Sequence, residues 1–147
     1  MLLNKVKIED VEIGVSASNW EAAIRKAAAK LLDRGAIEPS YVEAMIRSMH
    51  ENGPYIVIAK HIALAHARPE FGVNQNGLTF TTLKEGVAFG SELFDPIYLI
   101  ITLAGASADD HLELLGELAE VLMEEERINR LIQAKTEKEF YEELIKS

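Results

Sequence analysis

Four histidines, His50, His61, His66 and His111, are the side chains whose type suits chemistry near neutral pH. An uncharged imidazole nitrogen can act there as nucleophile, base or metal ligand. The most informative setting is Ile62-Ala63-Leu64-Ala65-His66-Ala67-Arg68-Pro69. His66 stands among small and apolar residues, with a cation two positions on. Pro69 cannot donate to a ladder, so His66 is expected at a strand end or a sheet edge. The small residues at 63, 65 and 67 are expected to leave room for another protein to approach, and Arg68 to pair with a phosphate or an acidic side chain. The same pattern is equally compatible with a histidine that only bonds to backbone. A metal site is the third alternative, but His61 and His66 lack a clean ligand spacing and no third ligand is evident. No cofactor is called for.

The second setting is Asp109-Asp110-His111, at the predicted start of a long helix. Unsatisfied backbone N–H groups and a positive end potential favour an anion such as phosphate at that position. Loops between strand ends and helix starts are frequent ligand sites in α/β folds. The plainer alternative is that the two carboxylates complement the helix dipole and His111 is solvated. His50 and Glu51 close an earlier helix, and Glu124-Glu125-Glu126 and Glu142-Glu143 read as solvated faces.

The elements that must position these residues follow from periodicity. Ser18-Asn19-Trp20-Glu21 has the form of a capping box with Ser18 as the cap, and Trp20, Ala23, Ile24, Ala27 and Leu31 share one helical face up to Gly35. A second helix is predicted after Pro39, with Val42, Met45, Ile46 and Met49 inward, ending at Gly53-Pro54. Tyr55 to Ala59 reads as a strand covered on both faces, Leu78 to Thr82 as another after the Asn74-Gln75-Asn76-Gly77 turn, and Ile97 to Ala104 as the best strand. A long helix follows Ser107, a short one surrounds Ile128 to Ile132, and Thr136 caps a last one to about Leu144. The fold class expected is α/β: a three-layer α/β/α sandwich with a central mixed sheet flanked by helices, in one domain over residues 1–147.

Composition narrows the function classes. The chain has 48% apolar and 27% charged residues, as in soluble globular proteins, and no cysteine, which removes disulfides and thiolate chemistry. The formal net charge is −9 with no basic cluster, which argues against nucleic acid and anionic membranes as partners but suits a basic protein partner. No signal peptide or spanning run is read, so no membrane insertion and a cytoplasmic location are expected.

With these residues in view, Gly53-Pro54-Tyr55-Ile56-Val57-Ile58-Ala59 and Ile62-Ala63-Leu64-Ala65-His66-Ala67-Arg68-Pro69-Glu70 resemble the active-site segment of the mannitol/fructose superfamily of phosphotransferase-system IIA components, with the ascorbate-type subgroup nearest. Leu83-Lys84, Asp95-Pro96-Ile97 and Asp110-His111 extend the resemblance over nearly the whole chain. It implies a cytoplasmic phosphocarrier that accepts a phosphoryl group from the carrier HPr and passes it to a IIB component for carbohydrate uptake. The alternative within the family is a regulatory relative, whose phosphorylation state controls a partner. On this chain the acceptor so implied is His66, with His111 expected to stabilise the phosphate or the ring; Arg68, Asp110, Lys60 and His61 are expected to complete the phosphate-supporting set. A homodimer is common enough to consider, though no residue demands one. The chain departs from the family pattern in carrying Lys60-His61 where a Gly-containing pair is usual and Ala65 where proline is usual. It also lacks, near His50, an arginine seen at the end of the second helix in mannitol-type members.

Overall fold

The strand richest in aliphatic residues, β5 (Ile97–Ala104), lies in the middle of a five-stranded mixed sheet. The computed structural model describes residues 5–146, apart from the side chains of residues 108, 110 and 111. One neighbour of β5 is the antiparallel β4 (Gly77–Val87), beyond which β1 (Val11–Val15) runs parallel to β4. The other neighbour is the parallel β3 (Ile62–Ala65), and β2 (Val57–Ala59) closes that edge antiparallel to β3. Two helices, α1 (Trp20–Asp33) and α2 (Pro39–Asn52), cover one face, and α3 (Ala108–Leu122), α4 (Glu125–Gln133) and α5 (Glu137–Ile145) cover the other. The expected α/β/α sandwich with a mixed central sheet is the observed one.

Strand alternation explains why both faces are apolar. Along β3 and β5, Ala63, Ala65, Ile100 and Ala104 point towards α1 and α2, while Ile62, Leu64, Leu99, Ile101 and Leu103 point towards α3–α5. A central strand buried on both sides must therefore be a continuous apolar run, as Ile97 to Ala104 is.

Local signals set the helix ends. Asn19, not Ser18, caps α1: its Oδ1 accepts from the Ala22 N–H at 2.8 Å. This corrects the expected cap by one residue, and such a cap contributes about 1 kcal/mol. At the other end, the Gly35 N–H bonds to the Leu32 carbonyl and the Ala36 N–H to that of Leu31, with Gly35 at φ +72°. That pairing closes the helix through a left-handed residue, which glycine adopts without a Cβ clash. Pro39 opens α2 at its first turn, and Thr136 Oγ1 accepts from the Glu139 N–H at 3.1 Å to open α5.

Two further expectations differ from the structure. Tyr55 to Ala59 is not a covered central strand: Tyr55 and Ile56 belong to the turn after Gly53-Pro54, and the strand proper is Val57–Ala59, at the sheet edge. Tyr55 and Ile58 are exposed. An apolar run records what is greasy, not how many neighbours a strand has. No sequence expectation covered β1, which inserts Val11 into the core beside Phe80 and bulges at Gly14, φ +70°, where the Gly14 N–H donates to Thr82 Oγ1 at 3.0 Å.

Candidate active site

His66 follows directly on the last residue of β3, where the backbone ladder runs out. On the β5 side, the Leu99 N–H bonds to the His61 carbonyl, so every second residue of β5 faces β3 with its N–H and C=O. Continuing that pattern, the rung after Ala65 would join the Ala67 N–H to the Leu103 carbonyl. A hydroxyl occupies it instead: the Ala67 N–H donates to Tyr41 Oη at 2.9 Å, and Tyr41 Oη donates to the Leu103 carbonyl at 2.7 Å. Tyr41, on α2, is fully buried, and burial pushes its phenol up to about 12.

On the β2 side the strand end is also finished by side chains. His66 Nδ1 lies 2.7 Å from the Leu64 carbonyl oxygen, and Tyr55 Oη donates to the His66 carbonyl at 2.8 Å. The Tyr55 ring stands edge-on to the imidazole with centroids 5.6 Å apart. A carbonyl can only accept, so Nδ1 carries the proton and the neutral ring has its lone pair on Nε2. His66 itself is half-buried. Strand alternation continues past β3: Ala67 packs against the core under α1 and α2, which places His66 on the face covered by α3.

The start of α3 lies at this same end of the sheet, because β3 and β5 run parallel and Ala104 leads through Gly105, Ala106 and Ser107 into the helix. Asn76, at the foot of β4, holds that turn: its Oδ1 accepts from the Ala106 N–H at 2.6 Å. Asp110 and His111 belong to the opening of α3, and their side chains lie outside the described residues. Arg68 is exposed, its guanidinium 3.9 Å from Glu70.

The structure does not bring Lys60 and His61 to this end. They form the β2–β3 connection, a strand length or roughly 16 Å from His66. This corrects their place in a phosphate-supporting set: residues that flank a strand in sequence stand at its opposite ends. His61 bonds instead through Nδ1 to the Pro96 carbonyl at 2.6 Å and meets the edge of Tyr98 at 5.3 Å. The small residues 63 and 65 do not open space for a partner either; both are fully buried and let α1 and α2 approach the sheet. His50 pairs with Glu21 at 3.2 Å beside Trp20. Among the described residues, no group of three histidines and carboxylates converges as a metal site would need.

Sequence reasoning missed Tyr41, Tyr55 and Asn76 as parts of the site. The signal for Tyr41 was its place four residues before Met45 on the inward face of α2, since a buried tyrosine must find a partner for its hydroxyl. Asn76 was read only as a turn former.

What this arrangement offers is a half-exposed imidazole with one fixed tautomer beside a helix start whose backbone donors favour an anion. The chain matches the family model for the phosphoenolpyruvate-dependent sugar phosphotransferase system, EIIA 2, over residues 4–147. It is 40% identical over 125 residues to the mannitol-specific cryptic phosphotransferase enzyme IIA component of Escherichia coli (strain K12), covering 84% of each chain. Its identity to the ascorbate-specific PTS system EIIA component of the same strain is 31% over 132 residues, covering 89% of this chain and 86% of the other. The solution structure of the cryptic mannitol-specific enzyme IIA aligns with a TM-score of 0.90 and 35% identity over 100% of both chains. A complex of mannitol enzyme IIA with phosphorylated enzyme IIB from Escherichia coli aligns at 0.82, with 31% identity over 95% of this chain and 96% of that one. Among the described residues no helix is long and apolar enough to cross a membrane. Fold, strand-end histidine and sequence identity converge: the chain belongs to the EIIA 2 family of the phosphoenolpyruvate-dependent sugar phosphotransferase system.

Proposed function

We propose that this IIA component is a cytoplasmic phosphocarrier that accepts a phosphoryl group from phospho-HPr on Nε2 of His66 and passes it to a cysteine of a IIB component during carbohydrate uptake. The observation that carries this reading is the 2.7 Å contact between His66 Nδ1 and the Leu64 carbonyl, which leaves the nucleophilic lone pair on Nε2. In the first step Nε2 forms a bond to phosphorus while the bond from phosphorus to the donor's imidazole nitrogen breaks, the electron pair leaving with the donor ring. No proton need move, because Nδ1–H stays bonded to Leu64 and that bond strengthens as the ring takes up positive charge. In the second step a thiolate attacks phosphorus and the lone pair returns to Nε2.

Phosphoryl transfer asks a protein mainly for alignment and for donors to the three equatorial oxygens. The first turn of α3 supplies backbone N–H groups, His111 stands in that turn with Asp110 beside it, and the exposed Arg68 is a cation two residues from the acceptor. The IIB partner is supported by the aligned mannitol complex. The substrates for which the relatives are named, mannitol and ascorbate, make a hexitol or a sugar-derived acid the first carbohydrates to try.

The test is intact-protein mass after incubation with phosphoenolpyruvate, enzyme I and HPr. Wild type should gain one acid-labile phosphoryl group and His66→Ala none. An unmodified wild type beside an HPr shown to be active would overturn the reading.

A further inference from the structure

We infer that Tyr41 is a positioning residue for His66, its hydroxyl serving as the inserted rung that holds the end of β3 at a fixed distance from β5. The role of the acceptor rests on the function proposed above; the bridge itself rests on geometry. Tyr41 Oη takes the Ala67 N–H at 2.9 Å and gives its proton to the Leu103 carbonyl at 2.7 Å, with the Ala67 carbonyl a further 3.2 Å away. In a direct rung the N–H and the carbonyl oxygen would themselves be in contact, at about 2.9 Å. With an oxygen inserted between them, the two strands must diverge just past Ala65. That divergence occurs at His66, the residue before Ala67, and it allows the imidazole to turn back onto the Leu64 carbonyl instead of continuing the ladder. The strand end is thus neither regular sheet nor loose loop, and one buried hydroxyl sets how far it opens.

Removing the hydroxyl while keeping the ring would leave the Ala67 N–H and the Leu103 carbonyl to find each other directly. Closing that gap draws Ala67 towards β5 and rotates His66 away from Leu64. A misplacement near 1 Å costs on the order of a hundredfold in rate. Tyr41 touches neither the imidazole nor the phosphate, so its effect should appear first in the ring's own state.

The experiment compares wild type, Tyr41→Phe and Thr102→Val by long-range ¹H–¹⁵N spectroscopy of the imidazoles and by the rate of phosphoryl acceptance. Thr102→Val removes another buried hydroxyl of β5, one that reaches the Ala27 carbonyl of α1 instead of the His66 segment. In wild type the Ala67 amide should be protected from exchange and His66 should show the single Nδ1–H tautomer. In Tyr41→Phe the His66 tautomer signature should become mixed and acceptance should slow roughly tenfold to a hundredfold. His61, at the other end of β3, should keep its signature, and Thr102→Val should keep the wild-type pattern at His66. An unprotected Ala67 amide in wild type would overturn the bridge before any variant is made. An unchanged His66 signature in folded Tyr41→Phe, or the same change in Thr102→Val, would overturn the positioning role. Because the imidazole spectra need no phosphate donor, a failure of His66 to be phosphorylated would count against the carrier function and leave this inference to be judged on the ring.

Discussion

The two ends of β3 carry the same local device with different consequences. At each end a histidine gives its Nδ1 to a backbone carbonyl, at 2.7 Å for His66 and 2.6 Å for His61, and lies edge-on to a tyrosine ring, Tyr55 or Tyr98. Tautomer and aromatic neighbour therefore do not distinguish the proposed acceptor from a structural histidine. The surroundings do. His66 shares its end of the sheet with the start of α3, whose N–H groups favour an anion. His61 shares a cavity of about 180 Å³ with Lys60, Leu122, Met123 and Glu125, where the end of α3 meets the start of α4, so opposite charges and opposite helix poles offset one another there. The strand ends also differ in construction. At His61 the backbone ladder is intact, with the Tyr98 and Leu99 N–H groups on the His61 carbonyl, whereas at His66 the last rung is the Tyr41 hydroxyl.

The sharpest break of this comparison is exchange of the histidines. His66→Ala should abolish phosphoryl acceptance, read as loss of the acid-labile mass gain, while His61→Ala should keep a rate within about twofold of wild type. Equal loss in both variants would mean that the end of α3 does not decide between them. Next in size is the turn that presents α3. Asn76→Ala removes the acceptor of the Ala106 N–H and should slow acceptance about tenfold, since the anion site then depends on a looser helix start. A stopped-flow rate unchanged by this substitution would show that the turn holds without it.

A smaller contrast compares the tyrosines. Tyr55→Phe deletes the hydrogen bond to the His66 carbonyl and should lower acceptance several-fold, equivalent to about 1 kcal/mol, whereas Tyr98→Phe should leave it alone. The last contrast is read in stability at high pH and not in transfer. The Tyr41 phenol titrates near 12 in the folded chain against an ordinary value of 10.0. Between those values the folded state holds a proton that the unfolded state has released, so this contribution is complete below pH 10 and falls as pH rises towards 12. Its size is about 3 kcal/mol. Denaturation of wild type and Tyr41→Phe across that range should show the slope only in wild type, and amide exchange in wild type should rise at Ala67 before it rises at Leu99.

Much of this was legible along the chain, because the relevant forces are local. Pro69 cannot extend a ladder, and His66 does lie where β3 stops. The inward faces of α1 and α2 repeat at helical spacing, Gly35 ends α1 and Thr136 caps α5. Burial of β5 on both sides followed from an unbroken apolar run. What misled was also local. Lys60 and His61 stand close to His66 in sequence, but an extended strand carries such neighbours to its opposite ends. Ala63 and Ala65 are small because helices pack on them, which resembles, in sequence, room for a partner.

By itself, then, the sequence determined the layers, most helix ends and the place of His66 at a strand end, all of which depend on side chains a few positions apart. Only the tertiary structure decided which end of β3 faces the start of α3, that β2 is an edge strand, and that a hydroxyl from α2 completes the ladder beside His66. Those outcomes join residues separated by 26 and 62 positions, Tyr41 with Ala67 and with Leu103. Strand order and direction bring such groups into hydrogen-bonding distance, and the linear pattern of apolar and polar residues does not encode that order.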